Sequence, residues 1–127
     1  MTIVPVKKVH IDKTTPKQLN WLVTRCLHPK ADMSSMHIWL DTGDGKEDFL
    51  IENYAEDWAC GGPVLQKLRG LKLEIGRVCI TSCYANIVDL TGKELYFTAG
   101  KTLLMAGLRC LVLSKLGEQV DVPEALC

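Results

Sequence analysis

The chain has 127 residues, 47% of them hydrophobic, and its fifteen basic and fifteen acidic side chains cancel. That length sets one domain whose core needs no metal or disulfide staple, and zero net charge removes the long-range field that drives non-specific binding to nucleic acid or anionic membrane. The opening stretch, MTIVPVKKVHIDK, has no apolar signal core and no small-residue cleavage site, so the six cysteines are expected to be free thiols in a reducing compartment.

Thr15-Pro16-Lys17-Gln18 reads as a capping box with proline at the first helical position, and predicts a helix from Pro16 to His28 that Pro29 stops. Leu19, Leu22, Val23, Cys26 and Leu27 recur at helical spacing and form its expected buried face, while His28 reads as a surface cap at the negative end. Met36 to Leu40 and Asp48 to Glu52 flank TGDGKE, where Asp44-Gly45 signals a hairpin between two antiparallel strands. The acids around that turn do not make an EF-hand, because Gly43 takes its third position and the terminal glutamate is out of register.

The most informative stretch is Asp57 to Leu68, DWACGGPVLQKL. Gly61-Gly62 suits a tight turn or a close backbone approach, and Pro63 suits the first position of a short helix over Val64 to Arg69 that ends at Gly70. Leu71 to Ile75, Arg77 to Tyr84 and, after the Leu90-Thr91-Gly92 turn, Lys93 to Thr98 read as strands. Cys79 and Cys83 would then be roughly 13 Å apart along one strand and could not converge on a zinc ion. Thr102 caps a last helix, Leu103 to Leu116, apolar nearly all round and ending at Gly117. Its run from Leu103 to Leu113, broken by Arg109, falls short of the roughly 20 residues needed to cross a bilayer. The tail VDVPEALC is expected to be extended. The fold class that follows is α+β: a small, mostly antiparallel sheet packed against an N-terminal and a C-terminal helix, with a short helix after the DWACGGP turn. Such a sheet leaves edge strands, and a homo-oligomer is the expected way to cover them.

Three groups of residues could carry chemistry. Trp58 could stack on a base or ribose while the amides of Gly61, Gly62 and the Pro63 helix start hold phosphate and Asp57 bonds a ribose hydroxyl; the alternative is an indole in the core and a turn capped by Asp57. Lys101 and Thr102, in AGKT, stand at a helix N-terminus and form a generic anion site, but Leu95 occupies the position where a phosphate loop needs glycine. Arg109, enclosed by Leu108, Cys110, Leu111 and Leu113, needs a partner: an internal acid, with Asp57 and Glu94 as candidates, is favoured over a bound anion. No G-x-S-x-G elbow, H-E-x-x-H or local Cys/His signature is present, so no catalytic residue, metal or cofactor is assigned.

NWLVTRC, ENYAEDWACGGPVLQK and AGLRCLVLSKLGEQVDVPEAL together resemble the NinX-type phage proteins, small accessory proteins of tailed bacteriophages. Two blocks carry the resemblance: the DW-x-x-GGP box at Asp57, Trp58, Gly61, Gly62 and Pro63, and R-C-x-x-x-S-K-L-G-x-x-V-x-V-P from Arg109 to Pro123. The resemblance implies an accessory gene expressed in the bacterial host cytoplasm and, by association, a counter-defence role. The expected function is non-enzymatic sequestration of a small anionic, nucleotide-like defence signal. The alternative is a protein-binding inhibitor or adaptor acting on a host defence or nucleic-acid-processing protein.

Overall fold

A computed structural model of the protein describes residues 6–27, 38–41, 46–49, 52–75 and 83–126. Strand β1 (Val6–His10) leads through a 3-10 turn at Ile11–Lys13 into helix α1 (Pro16–Leu27). Strands β2 (Ile38–Asp41) and β3 (Lys46–Phe49) follow, then helix α2 (Trp58–Gln66), strands β4 (Leu71–Ile75), β5 (Cys83–Val88) and β6 (Glu94–Gly100), helix α3 (Leu103–Leu116) and strand β7 (Gln119–Pro123). The described strands form an antiparallel β1-β7 pair, an antiparallel β2-β3 pair and an antiparallel sheet of order β4-β5-β6. The fold is α+β, as the sequence predicts.

The capping signals act as read. Gln18 Oε1 accepts the Thr15 N–H at 2.9 Å while Thr15 Oγ1 accepts the Gln18 N–H at 3.3 Å, so two donors that a helix start leaves orphaned are satisfied reciprocally. Thr102 Oγ1 accepts the Met105 N–H at 3.1 Å at the start of α3, and Gly117 closes that helix with a φ of 95°. The buried face of α1 is Gln18, Leu19, Trp21, Leu22, Val23 and Thr24. Leu27, expected inside, is at the surface. His28, Pro29, Asp44 and Gly45 lie outside the described residues.

Helix α3 is apolar nearly all round because it is central: it packs on β4, β5 and β6 and also on α1 and α2. Leu104, Ala106, Leu108, Cys110 and Val112 are sealed from solvent. At Gly107 an added Cβ would stand 2.8 Å from Leu65 and 3.2 Å from Leu73, so the missing side chain lets α2 and β4 close together over α3. Thr98 on β6 donates its hydroxyl to the Ala106 carbonyl at 2.7 Å, pinning sheet to helix.

Two element boundaries are corrected. Helix α2 begins at Trp58, with Pro63 inside it, and not after Pro63. The cause is Asp57, whose Oδ1 accepts the Ala59 N–H at 2.9 Å and whose carbonyl accepts from Cys60 and Gly61, nucleating the helix one turn earlier. The proline deprives the Ala59 carbonyl of its partner, which is tolerable because Ala59 is exposed to water. Strand β5 runs from Cys83 to Val88, past the expected end at Tyr84, because Cys83, Ala85 and Ile87 are the alternate residues that meet α3; residues 77–82 of the expected strand lie outside the described ones. The tail is extended as expected, and forms β7 by pairing with a β1 that the lysine-rich VKKVH did not suggest.

Candidate functional site

The loop that delivers α2 is held by α1. Asn20 donates through Nδ2 to Asn53 Oδ1 at 3.2 Å and accepts the Ala55 N–H on Oδ1 at 2.8 Å, which fixes the buried Tyr54 and Ala55 just ahead of the helix. Gly61 is buried where a Cβ would collide with the Tyr54 carbonyl oxygen and stand 2.7 Å from Leu104. Its role is close packing of α2 against the loop and α3, and its N–H already bonds the Asp57 carbonyl at 2.9 Å. Gly62 follows in the same helix, with Trp58 as its nearest neighbour.

Trp58, the first residue of α2, is 52% exposed, so its indole is not a core residue. Beside it runs a groove of about 530 Å³ between α2 and β4. Trp58, Gly62, Leu65 and Gln66 recur at helical spacing on its α2 side, Pro63 sits at its rim, and Leu68, Leu71 and Leu73 complete it. None of these lining residues is charged. A second depression of about 520 Å³ lies between β6 and the end of α3, with Phe97, Leu113 and Lys115 among its walls.

The expected site residues fall into three places. Asp57, Trp58, Gly61 and Gly62 stand together at the start of α2. Lys101 and Thr102 are exposed at the start of α3, which touches α2 through Leu104, yet neither lines the groove. The Thr102 hydroxyl and carbonyl accept from Met105 and Ala106, so these helix amides are bonded within the chain.

Arg109 lies elsewhere, and its expected acid partner is corrected. The side chain is 9% exposed; Nε donates to Thr14 Oγ1 at 3.1 Å, Nη2 to the Thr14 carbonyl at 2.6 Å and Nη1 to the Ala99 carbonyl at 2.8 Å. Fixed carbonyl dipoles take the place of a carboxylate. Asp57 instead caps α2, and Glu94 accepts from Asn86 Nδ2 at 2.9 Å. Burial holds the Arg109 pKa below the ordinary guanidinium value, an effect that Asp12 opposes. Arg109 therefore ties the entry to α1 and the end of β6 to α3.

Among the described residues, the thiol beside the groove is not poised as a nucleophile. The Cys60 thiol donates to Asp57 Oδ2 at 3.6 Å, and desolvation, then the adjacent carboxylate, raise its pKa, which keeps it a thiol at neutral pH. Among the described residues, no three of His, Cys, Asp and Glu gather to hold a metal, and no helix is long and apolar enough to cross a membrane. Sequence reasoning found Trp58 but missed Leu65, Leu68, Leu71 and Leu73 as its companions. The alternation in LRGLKLEI was a usable signal for a half-buried strand, but nothing in it says which helix lies alongside.

The family described as "Bacteriophage P22, NinX" matches residues 15–115, a span that runs from the cap of α1 to the last turn of α3 and contains the whole groove. The chain belongs to that family of phage proteins. No curated protein matches it.

Proposed function

We propose that this member of the NinX family is an accessory protein that works by binding a host protein in the bacterial cytoplasm, with the Trp58 rim of the α2–β4 groove as its contact surface. The observation that carries this reading is an indole left half in solvent beside an uncharged groove that four leucines help to line. An exposed tryptophan next to leucine-lined space is the composition of a protein-binding hot spot, where a large rigid ring can be buried at little entropic cost. The partner it suits presents an apolar side chain to that rim. A nucleotide-like anionic ligand is the second reading, favoured by the same indole, which can stack on a base. Against it, the Gly61 amide is bonded within α2, and none of the described residues that line the groove is a cation.

The test is capture from host lysate by wild-type protein and by Trp58→Ala, with cross-links mapped onto the captured partner. One partner cross-linked beside residues 58–66, and lost with Trp58→Ala, is the expected result. A partner retained by Trp58→Ala refutes the reading. So does a nucleotide released from denatured wild-type protein but not from the variant, which would establish the second reading instead.

A further inference from the structure

We propose that two copies of the chain pair along β4, in an antiparallel register centred on Leu73, to make one continuous sheet. Among the described residues β4 has a neighbour on one side only, β5. No described strand pairs its other side, and Ile75 at its end is 64% exposed, an apolar side chain on the kind of edge that proteins usually protect.

The backbone shows which groups face that edge. In the β4–β5 ladder Leu71 opposes Ile87 and Leu73 opposes Ala85, and the Val88 N–H bonds the Gly70 carbonyl at 3.0 Å. Antiparallel pairs alternate between bonded and non-bonded, so Lys72 and Glu74 also turn their backbone groups toward β5. Leu71, Leu73 and Ile75 therefore turn theirs outward. A two-fold axis at Leu73 sets Leu73 opposite its own copy and Leu71 opposite Ile75 of the second copy, so each outward residue donates one bond and accepts one.

Side-chain charge selects the same register. The strand reads Leu-Lys-Leu-Glu-Ile, and centring on Leu73 puts Lys72 opposite Glu74 of the other copy, twice by symmetry. Sliding by two residues one way brings Lys72 opposite Lys72; sliding the other way brings Glu74 opposite Glu74. The sequence is self-complementary in one register and self-repelling in its neighbours. The same register lays Ile75 of the second copy against Leu71, a wall of the groove, and gives cover to an apolar edge residue that is 64% exposed in one copy. The pairing does not depend on what Trp58 binds.

Sedimentation of the full chain over a concentration series, for wild type, Lys72→Glu and the charge swap Lys72→Glu/Glu74→Lys, tests the proposal. The wild type should sediment as a dimer. Lys72→Glu sets carboxylates opposite Glu74 in both halves and should weaken association about tenfold or more. The swap should restore it. Lys72 is exposed, so the circular dichroism spectrum of Lys72→Glu should match wild type. A wild type that stays monomeric throughout the series, or a dimer indifferent to Lys72→Glu, overturns the proposal. Partner capture lost in Trp58→Ala with the dimer intact bears on the binding reading alone.

Discussion

Replacing Arg109 by methionine is the most direct probe of how this core is held. The guanidinium bonds Thr14 Oγ1, the Thr14 carbonyl and the Ala99 carbonyl at 3.1, 2.6 and 2.8 Å, in a site that is 91% removed from solvent. A hydrogen bond from a charged donor contributes about 1.5–3 kcal/mol, and each buried acceptor left unpaired costs about 1–3 kcal/mol. Against this stands the desolvation of the guanidinium, which methionine avoids. A net loss of about 3–4 kcal/mol follows, a large share of the roughly 5–15 kcal/mol that holds a domain folded. Arg109→Lys should lose nearly as much, because one ammonium lacks the planar fork that reaches acceptors on two elements at once. Urea denaturation followed by circular dichroism measures both variants. A loss under about 1 kcal/mol for Arg109→Met would refute the tethering argument. Stabilisation by an added anion that disappears in Arg109→Lys would show instead that the side chain serves a ligand.

The paired glycines of α2 should respond in opposite directions. Gly61→Ala drives a methyl into the Tyr54 carbonyl and Leu104 and should cost about 1–3 kcal/mol, whereas Gly62→Ala meets only Trp58 at ordinary contact distance and should gain up to about 1 kcal/mol of helix propensity. Thermal melts read both, and equal shifts would refute the assigned packing. The buried thiols set an alkaline limit. Burial pushes Cys110 from 9.0 up to about 11, so below pH 9 folded and unfolded chains both hold the proton; above it the unfolded chain ionises first and stability falls until about pH 11. The loss is on the order of 2 kcal/mol, and Cys110→Ala should flatten that slope in melting temperature against pH. Parallel slopes for wild type and variant would disprove it.

What was legible in the sequence was local. Thr15 with Gln18, and Thr102 with Gly117, mark their helices because a cap is satisfied within a few residues of itself. The α2 start was misplaced because Gly-Gly-Pro obeys local turn rules, while the deciding contacts of Gly61 run to Tyr54 and Leu104, and the latter is far along the chain. Strand β5 extends past Tyr84 because pairing is decided by which alternate residues reach α3, and Ala85 and Ile87 do, a contact that local β-propensity does not announce. Arg109 announced itself as a buried charge, but its acceptors are main-chain carbonyls, which carry no letter. The groove had the least signature of all: Trp58 and Leu73 become neighbours only once two elements pack on Gly107.

The β1–β7 ladder has a consequence for how the molecule matures. Val6 opposes Pro123 and His10 opposes Gln119, so the first described strand has no hydrogen-bonding mate until nearly the last of these residues has left the ribosome. Residues 15–115 can begin assembling around α3 while that strand waits, and closing so long a loop is slow and entropically costly. Ladder closure should be the final event of biosynthetic folding, and a nascent chain stalled before Gln119 should leave Val6–His10 open to proteases.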